Sequence, residues 1–234
     1  MPNVFYSYKV TDKEAFFDVH ELHHFKVLRL KIGDEIRFID GNGSLFKGKI
    51  RKILSNMAIA SIEESHRRHK EWKDRIILCL ASSKWHRERL LIEKAIELGI
   101  DEIVEFESQY SVAHIRKFEK IDLLVRNAMK QSMNLFKPKI RLFSDFNDFI
   151  DWMRIQNDTK FILLDPNGER INDTMIPKGD LGLIVGPEGG FSKQELEIFN
   201  SLNLQRVKLG DRILRFETAA LTGVIIFSYL KGRM

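Results

Sequence analysis

From Arg75 onward the chain alternates apolar runs of strand length with segments of helical periodicity, and few folds accommodate that alternation. Arg75 to Ala81 is an apolar run. Arg87 to Leu98 is helical, with Leu90, Leu91, Ala95 and Leu98 available for one face and Gly99 as its stop. Glu102 to Phe106, Lys139 to Leu142, Phe161 to Leu164, Leu181 to Val185 and Arg206 to Leu209 read as further strands. Phe118 to Met133 and Asp145 to Ile155 read as helices, Ser192 and Glu195 form a capping box ahead of another, and a last helix runs from about Glu217 to Leu230. Strands separated by helices of this length build a parallel or mostly parallel α/β sheet.

The first 70 residues have a different rhythm. Thr11-Asp12-Lys13-Glu14 has the form of a capping box before a helix-like run, Ala15 to Phe25. Glu35 to Ile39 alternates as a half-buried strand does, and Asp40-Gly41-Asn42-Gly43 signals a hairpin. Leu45 to Ile53 is the return strand and Met57 to Ile62 another. Short strands with tight turns indicate a small β-rich domain or barrel. His66 to Lys70 is basic, lacks apolar periodicity and reads as a linker or exposed edge. The length of 234 residues has room for two modest domains, here 1–70 and 71–234.

Charge separates the two parts as well. The formal charge is +5, and residues 1–70 hold 13 Lys and Arg against 9 Asp and Glu, so most of the surplus lies there. A polyanionic partner fits that segment best. A single cysteine, Cys79 in an apolar run, excludes an internal disulfide framework and a cysteine-rich zinc site, and a buried thiol in a reducing, cytoplasmic setting is expected. The histidines have no zinc-site spacing, so no metal is expected. Met1 to Val10 lacks the apolar core of a signal peptide, and Ala219 to Leu230 is too short to span a bilayer.

Two loops carry the chemistry. Gly186-Pro187-Glu188-Gly189-Gly190-Phe191-Ser192 joins a strand to a capped helix, at the strand end where open α/β sheets bind ligands. Its spacing is neither a Walker loop nor a dinucleotide fingerprint, and Glu188 opposes a phosphate, so a positive or donor-rich ligand suits it better. A plain β-to-α turn explains the glycines equally well. Leu209 to Ala220 again joins strand to helix and carries Arg212, Arg215, Asp211 and Glu217. Helix-start residues and solvated arginines are its plainer explanation. Two such loops close together in sequence can face one cleft. Glu93 to Gly99, with Lys94 and Glu97 three apart, reads locally as a surface ion pair, and Gln131-Ser132 as polar helix positions.

In combination these segments resemble the RsmE family, the ribosomal small-subunit RNA uracil-N3 methyltransferases of the SPOUT superfamily. The anchors are His24 to Asp34 with Val27-Leu28-Arg29, Glu93 to Gly99, Gln131-Ser132, Val185 to Gly190, and Leu209 to Ala219. Phe216 stands where the family often has Thr, and Met133-Asn134 where a Gly or Arg is common. The resemblance implies a C-terminal SPOUT α/β domain with a deep trefoil knot, preceded by a PUA-like β-barrel that helps hold RNA. It implies S-adenosylmethionine as cofactor, a homodimer with the site near the subunit interface, and methylation of uridine N3 in 16S rRNA of the small ribosomal subunit. Leu164, Gly186, Glu188, Gly189, Gly190, Leu209, Gly210, Ile213, Leu214, Thr218 and Ala219 are then the cofactor-pocket candidates. Arg215 is the candidate for stabilising the uridine anion, and Glu217 for accepting a proton or orienting Arg215. Arg29, Lys31 and Lys84 are candidates for RNA phosphates. Methylation of another RNA atom, such as a ribose 2′-hydroxyl, and a non-catalytic RNA-binding assembly factor are the competing readings.

Overall fold

The structure, a computed structural model, describes residues 3–234; Met1 and Pro2, where the expected first domain begins, lie outside it. Two compact units are present. One gathers the chain up to Glu71 together with Arg126–Lys137; the other gathers Trp72–Val125 and Pro138–Met234.

The first unit is a curled six-stranded sheet. Its elements are β1 (Val4–Tyr6), β2 (Lys9–Val10), β3 (Glu14–Phe17), α1 (Val19–Val27), β4 (Glu35–Ile39), β5 (Ser44–Ile53) and β6 (Ala58–Arg67), in sheet order β1-β4-β5-β6-β3-β2. Phe5, Phe17, Phe25 and Phe38 fill its core. Ser7, between β1 and β2, ties β4 to β3. Its N–H donates to Ile39 O at 2.9 Å, and its hydroxyl donates toward Phe16 O at 2.9 Å and accepts from Phe16 N–H at 3.2 Å. Residues 126–137 join this unit through ion pairs to α1, Arg126 to Asp18 at 2.7 Å and Lys130 to Glu21 at 2.5 Å.

One reading of this region is corrected and one is narrowed. Thr11 caps no helix. Its hydroxyl accepts the Glu14 N–H at 3.1 Å inside the β2–β3 turn, and Glu14–Phe17 is a strand. The helix starts later, at Val19, capped by the Asp18 carboxylate on the N–H groups of His20 and Glu21. The same side-chain-to-backbone bond closes a turn or caps a helix, so the local pattern could not discriminate. His66 and Arg67 are an exposed edge and not a linker: β6 runs through them and pairs there with β5 alone, Leu45 with His66, since β3 reaches only Ala58 to Ser61. That end of β6 is exposed on both faces, which removes the apolar alternation.

The second unit is a six-stranded, wholly parallel sheet with flanking helices. The elements are β7 (Ile76–Ala81), α2 (Trp85–Glu97), β8 (Glu102–Phe106), α3 (Phe118–Ser132), β9 (Lys139–Phe143), α4 (Phe146–Arg154), β10 (Thr159–Arg170), β11 (Asp180–Val185), α5 (Lys193–Ser201), β12 (Gln205–Lys208) and α6 (Phe216–Leu230). The last seven residues of α3 are grouped with the first unit. The order is β12-β10-β11-β7-β8-β9. From central β7 the chain builds outward through β8 and β9, then crosses to β10 and fills in β11. Every residue of β7, Cys79 included, is buried, as a strand covered on both faces requires. On α2 the buried side chains are Glu88, Leu91, Ile92, Ala95 and Ile96, so the expected apolar face is shifted and Leu90 is exposed. Lys94 and Glu97 pair on the surface at 2.8 Å.

Candidate active site

Three neighbouring strands come level at one point, where β10 breaks register. Leu164 of β10 is in register with Val185 of β11 and with Val207 of β12. These three residues floor a cavity of about 540 Å³, a size typical of small-molecule sites. Its walls are the two loops that follow β11 and β12. On the β11 side, Phe191 folds back over Gly186. A Cβ on Gly186 would come within 2.6 Å of the Phe191 ring, so glycine is what lets the ring close the loop. Ser192 and Glu195 then cap α5 reciprocally, as the capping box requires.

Of the expected pocket residues, Leu164, Gly186, Glu188, Gly190, Leu209, Gly210, Ile213, Leu214 and Ala219 line this cavity, and so does Arg215. Gly189 does not; a Cβ there would face Tyr110 at 3.2 Å. Thr218 and Glu217 are also outside the lining, because the start of α6 turns Phe216 and Ala219 toward the cavity instead. Arg215 is exposed at the N-cap of α6, and its guanidinium makes no hydrogen bond or ion pair among the described residues. Glu217 lies 4.0 Å from Arg87, and among the described residues no hydrogen bond or ion pair joins it to Arg215.

The structure adds residues that sequence reasoning missed. Arg87, in the first turn of α2, reaches the cavity and places Nη1 2.5 Å from Glu188 Oε1, while Ser83 Oγ donates to the same oxygen at 3.2 Å. Glu188 was read as an anion facing the ligand; its charge is instead met by a guanidinium of the chain itself. Asp165 and Arg206 also line the cavity and pair at 2.8 Å across β10 and β12. No local pattern announces these pairs, since their partners are far apart in sequence.

Behind Ser83 lies a buried acidic group. The Ser83 N–H donates to Glu88, Ser82 Oγ donates to Glu105 at 2.6 Å, and Arg116 donates to Ser83 O at 3.4 Å. Burial, reinforced by the Glu88 charge, pushes the Glu105 carboxyl up to about 7. Burial likewise raises Glu88. Both serines directly follow β7, and polar residues at a buried strand end were the one sequence signal that could have found this group.

Of the RNA-contact candidates, Arg29 and Lys31 are exposed in the α1–β4 loop of the first unit. Lys84 is exposed at the N-cap of α2 in the second.

The RNA methyltransferase domain family matches residues 70–228, and the RNA methyltransferase PUA domain family matches residues 17–62. Ribosomal RNA small subunit methyltransferase E from Rickettsia conorii is 29% identical over 212 residues, covering 88% of this chain and 85% of that protein. A predicted RNA methyltransferase from Thermotoga maritima of known crystal structure is 32% identical, with a TM-score of 0.81 and full coverage of both chains. Ribosomal RNA small subunit methyltransferase E from Neisseria gonorrhoeae, solved bound to S-adenosyl methionine, shares the fold at 24% identity, with a TM-score of 0.85 and 98% of each chain covered. The parallel sheet and the PUA-like curled sheet thus have counterparts along the whole chain, which belongs to the RNA methyltransferase domain family.

Proposed function

We propose that this protein transfers a methyl group from S-adenosylmethionine to N3 of a uridine in 16S rRNA of the small ribosomal subunit, working in the cytoplasm as a homodimer. The observation that carries this reading is the cavity at the point where β10, β11 and β12 come level, walled by two glycine-bearing loops, in an RNA methyltransferase domain. Its residues fit the cofactor. Leu164, Val185, Val207, Leu209, Leu214 and Ala219 offer apolar cover for an adenine, and a Cβ at Gly190 or Gly210 would meet no protein atom within 4 Å, leaving room at the loop backbones. When bound, the cofactor supplies an electrophilic methyl group.

The chain's own task is then to prepare the nucleophile. N3 of neutral uridine carries a proton and attacks only once that proton leaves. Arg215, at the cavity rim with no partner among the described residues, is suited to hold the charge that spreads onto O2 and O4. Glu217 is proposed as the proton acceptor, a role that requires its side chain, which lies outside the cavity lining, to turn toward the cavity. Because N3 is on the pairing edge, the target base must be unpaired or flipped out. Arg29, Lys31 and Lys84 are proposed to hold phosphates.

A second copy is supported by apolar exposure. Ile213 lines the cavity yet is 89% exposed, and Tyr229 and Ile225 of α6 are exposed too, surface that a partner would cover. No helix among the described residues is long and apolar enough to cross a membrane. The test is incubation of assembled small subunits, and of naked 16S rRNA, with methyl-labelled cofactor, followed by nucleoside analysis. Labelled N3-methyluridine is expected; label on a ribose 2′-oxygen, or none, overturns the reading.

A further inference from the structure

Six charged side chains line the cavity in the second unit, and four of them cancel in pairs. Arg87 meets Glu188 at 2.5 Å, and Arg206 meets Asp165 at 2.8 Å. The two that are left, Arg212 and Arg215, both belong to the loop after β12. Both are exposed, and neither makes a hydrogen bond or ion pair among the described residues. We infer that Arg212 anchors a phosphate of the target nucleotide, so that one loop grips that nucleotide at both ends, its phosphate at Arg212 and its uracil oxygens at Arg215. This deepens the reading of the chain as an S-adenosylmethionine-dependent RNA methyltransferase and rests on it.

Neither carboxylate of the same segment answers Arg212. Asp211 is held by Lys208 at 3.0 Å, and Glu217 lies 4.0 Å from Arg87. The lining therefore carries four guanidiniums against two carboxylates, a surplus of two positive charges. S-adenosylmethionine does not balance that surplus. Its carboxylate is matched by the ammonium on the same carbon, and its sulfonium adds a further positive charge. A wall of this sign facing a ligand of the same sign calls for a second ligand that is negative. The target nucleotide supplies two negative charges. Its phosphate is permanent, and the charge on its uracil oxygens appears when N3 loses its proton. Arg215 is assigned to the transient charge, which leaves Arg212 for the permanent one.

Position and reach agree with this division. The floor of the cavity is apolar, Leu164, Val185 and Val207, and suits an adenine, whereas a phosphate keeps part of its hydration and belongs at an exposed rim. Three residues of chain separate the two arginines, so their Cα atoms are at most about 10 Å apart. Two long side chains at that spacing can hold the two ends of a single nucleotide. A guanidinium also presents a planar fork that takes two phosphate oxygens at once. Arg29, Lys31 and Lys84 line no part of this cavity. Contacts from them raise affinity for RNA in general, whereas a contact from Arg212 fixes one nucleotide beside the cofactor.

The test is steady-state methylation of small subunits by the full-length protein, with calorimetric titration of S-adenosylhomocysteine alongside. Arg212→Ala should raise KM for the subunits about tenfold and change kcat by a much smaller factor, because a phosphate is held alike before and during methyl transfer. Arg212→Lys should recover most of the loss, since an ammonium binds phosphate as a point charge. Affinity for S-adenosylhomocysteine should match wild type in both variants, which also reports that the loop is folded. Arg170→Ala removes an exposed arginine of β10 outside the lining and should leave KM near wild type. A wild-type KM in Arg212→Ala, an equal rise in Arg170→Ala, or a lysine variant as weak as the alanine one overturns the assignment. Lost S-adenosylhomocysteine affinity with an unchanged KM for subunits would give Arg212 to the cofactor carboxylate, and a loss confined to kcat would give it to the base; either overturns the phosphate contact. A wild-type protein that methylates no RNA overturns the proposed function and this inference together, whereas wild-type methylation indifferent to Arg212 overturns this inference alone.

Discussion

Arg87 Nη1 lies 2.5 Å from Glu188 Oε1, joining the first turn of α2 to the glycine loop after β11 across 101 residues of sequence. The pair is partly buried, with 24% and 26% of the two side chains exposed, so it sits between the weak surface limit and the costly buried one. Its consequence is positional: Glu188 is held on the wall of the cavity by Arg87 and Ser83 together.

Arg87→Met removes the charge and keeps much of the chain length. Glu188 then loses its guanidinium, and the loop it belongs to loses its tether to α2. Cofactor affinity should fall about tenfold, equivalent to about 1.4 kcal/mol, with the fold retained. Calorimetric titration of S-adenosylhomocysteine measures this, and an affinity equal to wild type would show that the loop is fixed without Arg87.

Glu105 gives a pH dependence of stability. It is 2% exposed and faces Glu88, Glu107, Arg116 and the Ser82 hydroxyl. Its carboxyl is raised from 4.5 to about 7 by burial first and the Glu88 charge second. Between those two values the folded protein binds more protons than the unfolded chain, so stability falls as pH rises through this window and is level above it. The size is about 3 kcal/mol at most. Glu105→Gln can still accept from Ser82 and carries no charge, so it should be more stable than wild type at pH 8 and equal to it near pH 4.5. Urea denaturation at the two pH values measures the difference; equal gains at both would place the effect in packing.

Much of the second unit was legible because its strands are buried on both faces and its helices on one. β7 and β11 read as apolar runs, and Ser192 with Glu195 marked α5 within a residue. The curled sheet was harder. Thr11 with Glu14 satisfied the pattern of a helix start while closing a hairpin, and the outer half of β6 had no alternation to read. The loops that wall the cavity were found from their glycines and their place after strands. The charges that arm it were not, because Arg87 with Glu188 and Asp165 with Arg206 meet only once the sheet order brings their strands together.

Met133 bears a cost that its sequence position conceals. It follows the last residue of α3 with φ of 56°, in the left-handed region, and Asn134 N–H closes the helix end on Met129 O at 3.1 Å. That is the helix-terminating position where glycine is free of Cβ strain. Met133→Gly should stabilise the protein by about 1 kcal/mol, read as a higher urea midpoint at unchanged m. A lower midpoint would mean that contacts of the methionine side chain outweigh the backbone strain.

Arg215 should matter to the chemical step more than to cofactor affinity. Charge on the uracil oxygens develops only as N3 loses its proton, so a guanidinium aimed there favours the transition state over the bound ground state. Its exposure at the rim and its freedom from partners among the described residues leave it available for an incoming base. Arg215→Lys keeps the charge and loses the planar fork; Arg215→Ala loses both. The alanine variant should slow single-turnover methylation by about 10²–10³-fold, with the lysine variant between it and wild type. Raising the pH should recover part of the loss, because uridine then gives up its N3 proton without help. Cofactor affinity should stay near wild type, since the base, and not the cofactor, meets this side chain. Single-turnover methylation of small subunits across a pH series is the measurement. Wild-type rates from Arg215→Ala would remove Arg215 from the mechanism, and a defect confined to cofactor affinity would reassign it to the pocket wall.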